Sequence, residues 1–170
     1  LEYIDFTGDT KILDIETPYL KGEILKEGED ERYDRYIESG NTGTIYEHCI
    51  KAIEKSLNFG EHGLPKIGSG DWNDGMNEVG NKGKGESIWL GFFLYNILDR
   101  IIPIVKQKND IDKAETYEKI KQELKKALNT SGWDGRWYKR AFTDNGQALG
   151  SMENEECRID SIAQSWATIS

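Results

Sequence analysis

Only two cysteines and two histidines occur in 170 residues. Cys49 and Cys157 lie far apart and neither belongs to a CxxC, which excludes a disulfide framework and a Cys-rich zinc site. With His48 and His62 the only imidazoles, no metal site is expected. Positive charge is also in short supply: 22 Lys and Arg face 31 Asp and Glu, leaving a formal charge of −9. That balance argues against a nucleic-acid backbone or an anionic membrane as partner. The longest apolar stretch, Ile88 to Val105, is broken by Gly91, Asn96, Asp99, Arg100 and Pro103. It reads as a buried helix rather than a membrane span. Leu1-Glu2-Tyr3 offers no basic n-region, so no signal peptide is expected here and the reducing cytoplasm is the expected compartment.

Aromatic residues, by contrast, are plentiful for so polar a chain. They make up 11% of it, with five Trp, against 31% charged residues. Rings in that number serve cores, or surfaces that stack on sugars or bases.

The dominant rhythm is helical. Ile45, Cys49, Ala52, Ile53 and Leu57 follow a 3–4 spacing, with Thr42 or Thr44 as cap and Gly60 as stop. From about Glu86 to Ile102 the chain is apolar nearly all round, the mark of an inner helix. From about Asp112 to Leu128 a single stripe (Ala114, Tyr117, Ile120, Leu124, Ala127, Leu128) marks an outer helix, with Lys121 to Lys126 as its solvated face. Ser161 to Ala167 opens a fourth helix and Leu1 to Ile4 reads as the tail of another. No strand signal stands out, so the expected class is all-α. The run Glu27-Gly28-Glu29-Asp30-Glu31 reads as an exposed acidic turn. Two long loops, about Gly60 to Gly85 and Thr130 to Asp160, are rich in Gly, Trp and Asp, and loops of that length are usually functional. No linker or repeat interrupts residues 1–170, which read as one continuous piece of domain.

The most informative stretch is Gly68-Ser69-Gly70-Asp71-Trp72-Asn73-Asp74-Gly75-Met76-Asn77. Two carboxylates three residues apart flank an indole, offering a sugar-stacking face beside a proton donor. A calcium loop fails because Gly75 is fifth from Asp71 and the twelfth residue is Lys82. A P-loop fails because Gly83-Lys84 is followed by Gly85. A plain Asx turn with a packed Trp stays open at even weight. A second constellation runs from Ser151 through Glu155, Cys157, Arg158 and Asp160 to Gln164 and Trp166. Asp160 reads as a helix cap, whereas Glu155, Arg158 and Gln164 are candidates for sugar contact. His48 reads as packed or half-exposed rather than as a ligand.

Four ordered segments carry a resemblance that no single one would. They are Gly63-Leu64-Pro65 through Asn77, Gly85 to Leu90, Trp137-Tyr138-Lys139-Arg140-Ala141-Phe142, and Arg158 to Ala167. Together they resemble the glycoside phosphorylases of glycoside hydrolase family 94, with wording nearest the β-1,2-glucan branch. The resemblance implies an (α/α)6 barrel, here expected to be partial and truncated at both ends, because twelve helices of about 11–12 residues need a longer chain. It implies inverting phosphorolysis with Asp74 as general acid and Trp72 lining the donor-sugar subsite. Asp71, Arg158 and Gln164 are the further substrate-binding candidates. Inorganic phosphate would be co-substrate, with no cofactor or metal. The expected partners are a β-glucan oligosaccharide and phosphate, with no nucleic acid, no membrane for this segment, and a homodimeric parent. The family's phosphate-binding Arg and His residues have no counterpart here, so the isolated segment is expected to be inactive. Three alternatives stay open: a glucan-processing barrel of a cyclic β-1,2-glucan synthase, an inverting hydrolase, and a non-catalytic sugar-binding module.

Overall fold

Apart from the short first helix, Glu2–Thr7, the α-helices start where the sequence supplies a side-chain cap, and their apolar stripes find buried faces. In the computed structural model, which describes every residue from Leu1 to Ser170 except Glu27, Gly28, Asp30 and Asp74, two compact units appear, Leu1–Leu57 and Asn58–Ser170. No shift of composition marks that division.

In the first unit, α1 (Glu2–Thr7) and a 3₁₀ turn (Thr10–Asp14) precede an antiparallel pair, β1 (Glu16–Lys21) and β2 (Ile37–Thr44). The helix α2 (Ile45–Ser56) follows directly. Thr44 caps it reciprocally with Glu47: the Glu47 N–H donates to Thr44 Oγ1 at 3.2 Å, and the Thr44 N–H donates to Glu47 at 2.7 Å. The helix ends at Ser56 rather than Gly60, with Leu57 as its C-cap. His48 is half-buried, as expected: Nε2 lies 3.1 Å from the Thr17 carbonyl and the ring stacks on Tyr19 at 3.9 Å. The acidic turn expected at 27–31 lies partly outside the described residues; of its members, Glu29 pairs with Arg32 at 2.8 Å.

The second unit is built on a helical hairpin. α3 (Ile88–Gln107) and α4 (Ile111–Thr130) are joined by three residues, which requires an antiparallel return. Asn109 makes that turn at φ 61°, and Asp110 caps α4 by accepting from the Lys113 N–H at 3.3 Å. α3 does not stop at Ile102. It runs through Pro103, because Ile101, Ile102, Ile104 and Val105 are all buried and their packing outweighs the hydrogen bond that proline forfeits. Among the described residues, α3 is the one helix long and apolar enough to cross a membrane, yet it is packed against α4 and α5 (Ser161–Ile169). Lys121 departs from the solvated face expected of α4: it bridges to Asp99 of α3 at 3.0 Å.

The all-α expectation needs one correction. Besides β1 and β2, three strands of two residues each, β3 (Glu86–Ser87), β4 (Ala141–Phe142) and β5 (Ala148–Leu149), form an antiparallel sheet in the order β3-β4-β5. Glu86 pairs with Phe142 and Ser87 with Ala141, while Ala141 also pairs with Leu149. Strands this short carry no alternation to read, and their order comes from tertiary contact. This sheet joins the two long loops. It also places the start of α3 directly after β3, where Ser87 caps it by accepting from the Leu90 N–H at 3.2 Å.

Candidate active site

The loop around Asp71 is held at its base by backbone and carboxylate together. The Ile67 N–H donates to the Gly85 carbonyl at 2.9 Å, the Gly70 N–H to Ile67 at 3.2 Å, and the Asp144 N–H to Val79 at 2.9 Å. Ile67, Val79 and Ala141 form a small buried cluster beneath it, with Met76 and Leu149 against its edge. Asp144 accepts from the N–H groups of Lys82, Lys84 and Gly85 at 2.8–2.9 Å. Desolvation works to raise its carboxyl pKa, but these three donors more than reverse that, so it sits below the usual carboxylate range. Gly85 is obligatory for proximity: a Cβ there would come within 2.6 Å of the Gly80 Cα.

Asp71 is the buried anchor. Its side chain is 0% exposed and forms a two-pronged pair with Arg140, Nη1 to Oδ2 at 2.8 Å and Nη2 to Oδ1 at 2.9 Å. Ser87 Oγ donates to Oδ2 at 2.9 Å and the Asn73 N–H donates to Oδ1 at 3.1 Å. Burial by itself pushes this carboxyl up; the Arg140 guanidinium, the Asn73 N–H and the Ser87 hydroxyl outweigh it and hold Asp71 below its ordinary value. The plain Asx-turn alternative is therefore half right. Asp71 does close such a turn, but Trp72 is not packed: it is 79% exposed. Trp72→Ala is accordingly expected to change stability by no more than about 0.5 kcal/mol, as a thermal melt will show. Asp74 lies outside the described residues.

Beside this loop a buried carboxylate organises the turn that precedes it. Glu86 is 1% exposed and accepts from the Leu64 N–H at 3.0 Å and the His62 N–H at 3.1 Å, and it meets His62 Nδ1. The His62 ring lies flat on Phe142 with centroids 3.8 Å apart.

The second constellation is tied down in the same way. Asp134 accepts from Ser151 Oγ at 3.1 Å and from the Met152 N–H at 2.6 Å. Asp160 caps α5, as expected, accepting from the Ile162 N–H at 2.8 Å. Gln164 acts as a surrogate peptide group: its Oε1 accepts from the Tyr138 N–H at 3.0 Å and its Nε2 donates to the Tyr138 carbonyl at 2.7 Å. Arg158 is exposed, and its Nε and Nη2 both donate to the Met152 carbonyl. Asp71 and Gln164 thus spend their polar atoms on the protein, whereas Trp72 presents its ring to solvent.

The second constellation lines a cleft of about 590 Å³ through Glu155, Cys157, Ile159 and Asp160, beside Arg140 and with Met76 from the first. That volume suits a small ligand. Sequence reasoning gave no individual role to Arg140, Ser87, Glu86 or Asp144. The only local hint was a charge set against apolar neighbours, as in Arg140-Ala141-Phe142 and Glu86-Ser87-Ile88.

Residues 2–170 match the family model described as the glycosyl hydrolase 94 superfamily, catalytic domain. The chain belongs to this family. Among relatives of glycosyl hydrolase family 94, the cyclic β-(1,2)-glucan synthase NdvB of Rhizobium meliloti is 43% identical over 169 residues, 99% of this chain and 6% of that protein. Solabiose phosphorylase of Paenibacillus borealis is 34% identical over 170 residues, covering 99% of this chain and 20% of the enzyme. Cellobionic acid phosphorylase of Neurospora crassa is 31% identical over 169 residues, 99% of this chain and 19% of its own length. The chain therefore spans 6–20% of the curated relatives it matches. Family membership accounts for the four ordered segments.

Proposed function

We propose that this chain is the acid-bearing segment of an (α/α)6 barrel that carries out inverting phosphorolysis of β-linked glucosides, β-1,2-glucan foremost. The observation that carries the reading is an exposed Trp72 on a loop whose base is clamped, in a glycosyl hydrolase 94 catalytic domain. In this reading the indole face receives the donor sugar and Asp74 gives its proton to the glycosidic oxygen as the C–O bond breaks. A phosphate oxygen bonds to the anomeric carbon from the opposite face, yielding α-glucose 1-phosphate. An inverting hydrolase needs a second carboxylate about 6.5–9.5 Å away to activate water. Phosphate is already anionic and needs only to be held and oriented. The proposal therefore carries inorganic phosphate as co-substrate, no cofactor or metal, a cytoplasmic setting and a homodimeric parent. Phosphate-holding groups would come from outside residues 1–170, so the segment alone is expected to release no glucose 1-phosphate.

A second reading has its own support: the relative that is 43% identical is a cyclic β-(1,2)-glucan synthase. In that case the same barrel would process glucan within a larger enzyme. The deciding experiment incubates the full-length parent with β-1,2-, β-1,3- and β-1,4-glucobiose, with and without phosphate, and assays sugar phosphate. Phosphate-dependent α-glucose 1-phosphate from the β-1,2 disaccharide supports the proposal. Turnover that proceeds equally in phosphate-free buffer refutes it in favour of hydrolysis. Trp72→Ala in the same assay is expected to raise KM for the disaccharide.

A further inference from the structure

Arg140 is 3% exposed and carries no assigned role, yet it sits where three segments distant in sequence converge. Its guanidinium reaches Asp71 in the Trp-Asn-Asp loop with two bonds and Ser87 Oγ at the start of α3 at 3.2 Å. Nε lies 3.5 Å from Asp160, the cap of α5. The Arg140 backbone is fixed as well: its N–H donates to the Leu149 carbonyl at 2.8 Å, and its carbonyl accepts from the Ile88 N–H at 3.3 Å. Gly150, at φ 68°, passes so close that a Cβ would sit 3.0 Å from the Arg140 Cβ. Ser87 is used completely, accepting from Leu90 and Arg140 while donating to Asp71. Every member of this network is satisfied, the condition under which a buried ionic group fixes geometry rather than loosening it.

We infer that Arg140 is a positioning residue for proton transfer: by clamping Asp71 it holds the base of the loop from which the acid acts. Its guanidinium is committed to Asp71, Ser87 and Asp160, so it holds the loop rather than a sugar. The geometry also explains why Arg rather than Lys stands here, since an ammonium offers no planar fork for the two carboxylate oxygens. The inference rests on the general-acid reading of Asp74.

The test uses the full-length parent and two substrates that differ in their need for a proton. A β-glucosyl disaccharide requires protonation of its leaving oxygen. β-Glucosyl fluoride does not: phosphate oxygen bonds to the anomeric carbon, the C–F bond breaks, and fluoride leaves with the electron pair. Arg140→Lys, which keeps the charge, and Asp71→Asn, which keeps the shape, are assayed beside Asp74→Asn. The expected result for Arg140→Lys is a kcat loss of roughly 100-fold on the disaccharide, the cost of about an ångström of misplacement. KM should change little, and turnover of the fluoride should stay within about threefold of the parent, since the remaining catalysis by orientation is untouched. Asp71→Asn should show the same split. Equal losses on both substrates, or an unchanged disaccharide kcat, would overturn the inference while leaving the acid reading intact, provided Asp74→Asn still shows the split. If Asp74→Asn retains full disaccharide turnover, the acid reading fails and takes this inference with it.

Discussion

Asp74→Asn in the full-length parent is expected to lower kcat for disaccharide phosphorolysis by roughly 10²–10⁴-fold, the range that a positioned general acid contributes. The amide is nearly isosteric and retains hydrogen-bonding capacity, so glycan affinity should survive. A parallel loss in kcat and kcat/KM with little change in KM is the signature of an interaction made only in the transition state. Isothermal titration with the disaccharide in the absence of phosphate provides the independent check on binding. A sugar-binding module predicts the opposite pattern, with function undiminished. Steady-state kinetics at saturating phosphate separates the two outcomes.

The second large effect is on stability. Asp71→Ala removes one half of a buried pair and leaves the Arg140 guanidinium without its two-pronged partner. Such truncations cost about 3–5 kcal/mol. Asp160, 3.5 Å from Nε, offers partial compensation and places the expected value at the lower end of that range. The loss should appear as a lower melting temperature and as faster hydrogen exchange at the Asn73 and Leu90 N–H groups, both tied to this network. Its pH dependence follows from the sign of the shift. Asp71 is held below its ordinary value in the folded chain, against about 3.9 when unfolded. The stabilisation is therefore complete above the unfolded value and disappears as pH falls through the folded one. The melting temperatures of the parent and Asp71→Ala should converge in strong acid and diverge toward neutrality.

The helices were legible because their signals are local. The stripe from Ala114 to Leu128 and the all-round apolar run from Ile88 state their own burial, and Asp160 announces a cap next to a helical pattern. Pro103 misled the boundary of α3, since a proline's cost is local while the packing that absorbs it is not. β2 reads Ile-Glu-Ser-Gly-Asn-Thr-Gly-Thr, which carries two glycines and none of the apolar alternation of a strand; it is a strand because β1 pairs with it. The candidate site divides in the same way. The Trp72 loop stood out by its residue types, whereas the Asp71–Arg140 pair spans 69 positions and no periodicity connects them. Gln164 reads as a candidate for sugar contact as one of many polar groups at a helix entrance; that the Tyr138 backbone occupies its amide is visible only in three dimensions.

The carboxylates of Asp71, Glu86 and Asp144 all accept internal donors, two of them from backbone N–H groups alone or nearly so. A formal charge of −9 would suggest a surface that repels any incoming dianion. Charges locked onto fixed dipoles and a guanidinium project a much weaker long-range potential than free ones. Part of the acidity of this chain is thus scaffolding turned inward, whereas the cleft beside Met76 is bordered by the exposed Glu155 and Glu156, so the approach of any anion there is governed by carboxylates outside that scaffold.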